Sequence, residues 1–286
     1  MRLILITGDP HRAGIADRSG VEYVMIDLEI LGKEARQGHL DTVISRHTSE
    51  MIPQVKSVCR KSQVLVRVNP LNEHTREEVD EAIDRGADAV MLPMATSPRQ
   101  VDQFVQIVSG RSEVFILLET VAALVRAGEI ARVQGIDRVH IGLNDLHLQC
   151  GLKFMFELLS GGMLDHLSTI FIEAGIPFGF GGIARTGMGS VPSEMVLSEH
   201  VRLGSVQAIL SRDFAQCFKV DDNSHDEARF AVEVGKLRSL CASISLLSFD
   251  ELLSRRNAFR VKVRSLLPDI YLSPQHNDLV RSRRSS

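Results

Sequence analysis

Short runs of aliphatic and β-branched residues recur along the chain, with segments of helical period between them. The runs cover residues 3–7, 23–28, 64–68, 89–93, 114–118, 139–142, 177–181 and 208–211, eight in all. Most are apolar throughout rather than alternating, which suits strands covered on both faces. The intervening segments carry helix start and stop signals. Residues 75–85 open on Thr75, place acids in the first turn and stop at Gly86. Residues 98–108 follow Ser97 and stop before Gly110, residues 121–133 end at Gly135, and residues 154–174 and 193–203 read similarly. Strand then helix, repeated, predicts right-handed βαβ units and a parallel sheet. Eight such units in 286 residues predict a closed (β/α)8 TIM-type barrel in preference to an open doubly wound sheet. Two further helices, over 226–240 and 249–267, exceed what a minimal barrel needs. The predicted division is a barrel catalytic domain over 1–245 and a C-terminal helical extension with a loose polar tail over 246–286. Packing against a neighbouring subunit is one use for the extra helices.

Composition narrows the picture without identifying a function. Lys and Arg number 33 against 36 Asp and Glu, a formal charge of −3, so no nucleic-acid partner is expected. Hydrophobic residues at 44% and charged residues at 24% exclude a disordered chain. No apolar run approaches the roughly 20 residues of a membrane span, and the opening MRLILITGDP meets Asp9, His11 and Arg12 too soon for a signal peptide. Cys59, Cys150, Cys217 and Cys241 are widely separated, which argues against a zinc site or a disulfide framework. A cytoplasmic protein with no membrane partner is the expectation.

In a barrel of this kind the chemistry sits at the carboxyl ends of the strands. Reading those ends gives Gly8 and Asp9, then Asp27 and Glu29, Arg67 and Asn69, Glu119 and Thr120, Asn144 and Asp145. The Gly181–Gly182 pair with Arg185, and Ser211 with Arg212, complete the ring, while the fourth run ends on Pro93 without a charge. Neighbouring strands lie about 4.8 Å apart, so Glu119 and Asp145 on successive strands can reach one cation. Two carboxylates with waters and substrate oxygens suit Mg²⁺ or Mn²⁺; the other reading is that each caps the helix that follows it. Arg67, flanked by valines in VLVRVN, either stabilises a developing oxyanion or pairs structurally with Asp27 or Glu29, and both can hold together. The GFGGIARTGMG stretch offers backbone N–H groups to an anion, or simply makes tight turns. His39, His47, His140 and His147 read as structural or surface residues, His147 being the one nearest a proposed ligand.

The segments YVMIDLE, VLVRVN, GADAVMLPM, FILLET and RVHIGLNDL, in that order, resemble the HpcH/HpaI aldolase and citrate lyase β-subunit family. The resemblance runs from about Tyr23 to Gly151 and more loosely to Phe214. It implies a divalent-metal-dependent carbon–carbon lyase acting on a pyruvate-like 2-oxo acid and an aldehyde. Glu119 and Asp145 then hold Mg²⁺ or Mn²⁺, Arg67 is catalytic as the cation beside the enolate oxygen, and no Schiff-base lysine is needed. Asp27, Glu29, Asn69, Gly182 and Arg185 are candidate substrate-binding residues around that centre. The chain also departs from the pattern. The aldolase branch has His after the second-strand Glu, where this chain has Ile30. The lyase branch often has Asp there, which this chain lacks too, though Lys33 and Arg36 resemble its KxxR continuation. The general base therefore stays unassigned among His39, His47, His147 and a metal-bound water. An acyl-CoA-dependent lyase of the citrate lyase type, or a metabolite-binding barrel without turnover, are the alternatives. The resemblance also implies a homo-oligomer, a trimer or hexamer.

Overall fold

The computed structural model describes residues 1–32, 47–218 and 225–272. Eight parallel strands close into a barrel in sequence order: β1 (Arg2–Ile6), β2 (Tyr23–Asp27), β3 (Gln63–Arg67), β4 (Ala89–Leu92), β5 (Glu113–Leu118), β6 (Arg138–Ile141), β7 (Phe178–Ile183) and β8 (Gln207–Leu210). The expected (β/α)8 barrel is therefore the fold, and β8 pairs with β1 through Arg2 and Gln207 to close it. Helices α1 (Pro10–Arg18), α2 (Met51–Val58), α3 (Thr75–Asp84) and α4 (Pro98–Val108) alternate with the first strands. The segment expected as one helix over 121–133 is instead two short helices, α5 (Val121–Val125) and α6 (Ala127–Ile130). The break falls at Arg126, whose N–H bonds to Ala123 O and whose guanidinium reaches Ala122 O and Thr96 O. A helix not anticipated, α7 (Leu143–Gln149), follows β6, and the expected helix over 154–174 divides into α8 (Glu157–Ser160) and α9 (Met163–Glu173). Then come α10 (Ser193–Leu203), a 3-10 turn over Arg212–Cys217, α11 (Asp226–Ile244) and α12 (Phe249–Leu272).

Apolar runs on the strands split by alternation into two cores. Ile4, Tyr23, Met25, Leu65, Ala89, Met91, Phe115 and Leu117 fill the lumen. Their strand neighbours, such as Val24, Val64, Val66, Val90 and Ile116, belong to the layer between sheet and helices. This is the two-sided burial that made the runs continuous. The lumen floor is a polar network. Arg2 donates to the Tyr23 hydroxyl at 2.8 Å, which donates to Glu113 at 2.8 Å, and Arg138 donates to Glu113 at 2.7 Å. At β7 the close approach of β8 requires Gly179: a methyl group there would lie 2.1 Å from Gln207 O.

The long helix α12 lies on α10 and α8, burying Phe259 and Val263, and Arg256 donates to Asp165 of α9 at 2.9 Å. Among the described residues no helix is long and apolar enough to cross a membrane. His39, Lys33 and Arg36, and the tail from Ser273, lie outside the described residues.

Candidate active site at the carboxyl end of the barrel

Arg67 does not violate its strand's apolar pattern. Val66 and Val68 belong to the outer layer, so alternation turns Leu65 and Arg67 into the lumen. The β2–β3 register sets Arg67 opposite Asp27. Its Nε and Nη2 donate to Asp27 Oδ1 and Oδ2 at 2.8 Å each, a bidentate pair, and Nη1 lies 3.5 Å from Glu29 Oε2. Arg67 is 14% exposed and Asp27 2%. Burial disfavours the guanidinium's charge, but Asp27 and then Glu29 and Glu119 more than offset this and hold its pKa above the ordinary arginine value. The pairing expected as one reading of Arg67 is therefore present. It fixes the guanidinium rigidly, which is also what an oxyanion-stabilising role requires.

Glu119 follows β5 at the same end and is 2% exposed. It does not cap α5: Thr120 does, accepting from Ala123 N–H at 3.0 Å while donating to Ala95 O at 2.7 Å. Glu119 Oε1 instead accepts the N–H of Met94 at 3.2 Å. Met94 has φ 55°, the left-handed region that a residue with a side chain rarely adopts. The fourth strand end, which carries no charge, thus contributes through its backbone. Sequence reasoning missed Met94, since nothing in the letters LPMAT marks a donor. Gly142 was missed as well. A methyl group there would lie 2.8 Å from Glu119 Oε2 and 2.8 Å from its Cβ, so the glycine is what lets this carboxyl lie across the end of β6.

Asp145, 7% exposed, stands in the first turn of α7, one step beyond the strand end. Gly142 occupies the N-cap position, with no side-chain cap. Asp145 is close enough to Glu119 to act on its ionisation. Burial raises the Glu119 pKa, Arg67 lowers it, and Asp145 and Glu29 raise it again, leaving it at about 8. Asp27, Glu29 and Glu119 thus act on one guanidinium, and Asp145 acts on Glu119.

The other expected site residues divide. Asn69 is engaged in holding the rim: its Oδ1 accepts from Ile30 and Leu31 N–H at 2.8 and 3.0 Å, and its Nδ2 donates to Glu78 at 3.1 Å. Gly182 sits at the β7–β8 register shift, against Ser211. Arg185 has its hydrogen bond outside this group. It donates to Gln216 at 2.5 Å and lines a cavity of about 440 Å³ with Cys217, His225 and Arg229. His147 donates from Nδ1 to Leu143 O at 3.1 Å, a bond within its own helix. His47 is at the site: its Nδ1 accepts the Asp27 N–H at 3.0 Å, which leaves the ring proton of the neutral form on Nε2.

The donor set fits the divalent ion that the family resemblance implies. Among the described residues no three or more acidic, His or Cys side chains form a ready-made metal cage. Mg²⁺ is nevertheless commonly held by one or two carboxylates plus waters and substrate oxygens. A carboxyl raised to about 8 beside other carboxylates lacks positive charge, and a dication supplies it.

A family model described as HpcH/HpaI aldolase/citrate lyase matches residues 4–156. A search of curated proteins returned no match. Among solved structures, the chain is similar to an HpcH/HpaI aldolase/citrate lyase family protein from Burkholderia cenocepacia J2315. The identity is 15% and the TM-score 0.59, over 75% of this chain and 89% of that one. It is also similar to an HpcH/HpaI aldolase from Desulfitobacterium hafniense DCB-2, at 17% identity and TM-score 0.58, over 87% and 94%. The third is a citrate lyase beta subunit from M. tuberculosis complexed with oxaloacetate and magnesium, at 15% identity and TM-score 0.54, over 86% and 96%. At such identities the structural likeness speaks for the fold. The family model, spanning more than half of the residues, carries the further step: this chain belongs to the HpcH/HpaI aldolase/citrate lyase family, which includes metal-dependent lyases.

Proposed function

We propose that the protein is a divalent-metal-dependent carbon–carbon lyase that forms or cleaves the adduct of a pyruvate-like 2-oxo acid enolate with an aldehyde. One observation carries this reading: the buried acid pair Glu119 and Asp145 lies at the barrel's carboxyl end opposite a guanidinium immobilised by Asp27. In this reading Glu119 and Asp145 hold Mg²⁺ or Mn²⁺. The bound ion supplies Lewis-acid polarisation of the keto oxygen, which lowers the barrier to the enolate.

The remaining work falls to the chain's own groups. Arg67 donates to the oxygen on which negative charge develops. Because Asp27 already fixes its orientation, little reorganisation is needed as that charge forms. Glu29 adds a second acidic neighbour that keeps the guanidinium in place, and the His47 Nδ1 bond anchors the backbone of Asp27. Asn69 holds the loop that carries Ile30 and Leu31 over the rim. Ile6 and Ile209, packed against the lumen core, give the mouth an apolar lower wall that limits water around an enolate.

The acyl-CoA-dependent lyase of the citrate lyase type is the second reading, favoured by Lys33 and Arg36, which resemble that branch's KxxR continuation, although Ile30 departs from both branches. The test is exchange of the methyl protons of pyruvate in D₂O, followed by NMR with added Mn²⁺ or Mg²⁺ and with chelator. Exchange that needs the metal and is lost in Glu119→Ala supports the site. Exchange unchanged in that variant removes it. A panel of hydroxy-oxo acids and CoA thioesters then separates the two lyase readings by the product released.

A further inference from the structure

Strand β6 carries a buried group that the site has not yet used. Val139 and Ile141 belong to the outer layer, so Arg138 and His140 face the lumen. Arg138 closes the floor with Glu113. His140, 1% exposed, has no hydrogen-bond partner at either Nδ1 or Nε2. The next lumen position above it is Gly142, and the space a side chain would fill there belongs to Glu119, whose Oε2 would lie 2.8 Å from a methyl group. The register agrees: His140 pairs with Leu117, two residues below Glu119 on β5. The carboxyl of Glu119 therefore lies across the top of β6, one lumen level above the imidazole.

Burial, with Arg67 adding to it, pushes the His140 pKa down to about 3, so the ring is neutral. A neutral imidazole has one N–H donor and one lone pair. Leaving both unmet in a dry lumen is unfavourable, and an apolar residue of the same size would sit there more comfortably. A polar ring one level below an acid ligand has a recognised use, because carboxylates that hold metals are themselves held by hydrogen bonds from outer residues.

We propose that His140 is a positioning residue for Glu119: its ring N–H reaches the Glu119 carboxylate, directly or through one water, when that carboxylate turns to hold a divalent cation. This rests on the metal site proposed above, and the test separates the two. Mn²⁺ alone is the probe, its binding followed by EPR of the free ion, for wild type, Glu119→Ala, His140→Leu, His140→Asn and His140→Gln. His140→Leu weakens Mn²⁺ binding about 10–100-fold while the metal-free protein melts no lower than wild type. At least one of the amide variants, which place an N–H near Nδ1 or Nε2, recovers most of the affinity. In ¹⁵N-histidine-labelled wild type, saturating Mg²⁺ shifts one His140 ring nitrogen toward the hydrogen-bonded range.

Wild-type affinity in His140→Leu, with binding lost in Glu119→Ala, overturns the role of His140 and leaves the metal site standing. No saturable Mn²⁺ binding by wild type overturns both. Should His140→Leu fail to fold, the labelled protein decides: ring signals unmoved by saturating Mg²⁺ overturn the proposal.

Discussion

Arg67→Ala removes the cation around which the acidic groups of the barrel mouth are arranged. Asp27 and Glu29 are each 2% exposed, and Arg67 holds the first through two 2.8 Å bonds. Removing one partner of a buried pair costs about 3–5 kcal/mol, because the other charge is left uncompensated. For 286 residues, an unfolding entropy of about 2.1 cal/mol/K per residue converts this to a Tm lower by about 5–8 °C. The pH dependence has a definite sign. Without the guanidinium the folded-state pKa of Asp27 rises above its unfolded value, and Glu119, already at about 8 with Arg67 opposing the rise, goes higher. An acid whose folded pKa is raised stabilises the fold at low pH and loses that contribution as pH rises. The deficit of Arg67→Ala relative to wild type is therefore small near pH 4, grows as the unfolded carboxylates ionise, and increases further above pH 8, where Glu119 ionises in wild type before it does in the variant. Urea denaturation at several pH values with chelator present measures it. Asp27→Asn combined with Arg67→Met removes both partners and loses less than Arg67→Ala alone. A deficit under about 1 kcal/mol, or one that does not vary with pH, would refute the reading of this cluster as charge-coupled.

Three further outcomes follow from the scaffold. Asp17, 3% exposed, accepts the backbone N–H groups of Arg60, Lys61 and Ser62 at 3.0, 2.6 and 2.6 Å. Burial alone would raise its pKa, but these bonds outweigh it and lower the pKa below the ordinary value. Its contribution is thus present above the unfolded pKa and lost as pH falls through the folded one. Asp17→Asn should lose about 1.5–3 kcal/mol at pH 7, with the deficit fading below about pH 4 in urea titrations. Gly179→Ala places a methyl group 2.1 Å from Gln207 O, backbone that cannot yield without opening the β7–β8 seam. It should cost about 3 kcal/mol or more in thermal melts, and a melt within 1 °C of wild type would contradict the seam geometry. Tyr23→Phe leaves Arg2 and Glu113 without their shared hydroxyl and should cost about 1–3 kcal/mol, read by the same melts.

The barrel was legible in the sequence because its physics is periodic. A strand covered on both faces needs an unbroken apolar run, and eight such runs appear as eight strands with bounds within a few residues. The failures occurred where local preference and tertiary packing part. Residues 121–133 have mostly helical letters apart from Gly128, and the chain breaks at Arg126, whose guanidinium is bonded to Ala122 O and Thr96 O. The acids were legible because a charge ending an apolar strand is conspicuous. Their partners were not. Met94 acts through its N–H, Gly142 through the absence of a side chain, and neither has a sequence signal that sets it apart from an ordinary loop residue. Arg185 read as a mouth residue because it follows the Gly-rich β7, and its bond to Gln216 after β8 had no sequence signal. His140 read as structural, and only its placement above the floor and below Glu119 shows that its two nitrogens lack partners.

The two ends of the lumen are built on opposite electrostatic rules, and the contrast bears on which end binds. At the floor, Arg2, Tyr23, Glu113, Arg138 and Gln207 form a chain of hydrogen bonds. Gln207 in turn donates to Val139 O, so a charged layer is closed with its groups matched. At the mouth, Asp27, Glu29 and Glu119 act on Arg67, Asp145 acts on Glu119, and Glu119 is pushed to about 8. A fold that needed only to seal its lumen could repeat the floor's solution or use apolar side chains, which are often as stable as a buried pair. Crowding acids there instead keeps Glu119 protonated near neutral pH, and a bound cation favours its ionised form by displacing that proton. Such a ligand therefore raises the stability of the folded state by mass action. Mg²⁺ or Mn²⁺ should raise the Tm of wild type in proportion to the logarithm of its concentration above Kd, and leave Glu119→Ala unmoved. Equal shifts in both proteins would place the ion elsewhere and remove the electrostatic case for the mouth.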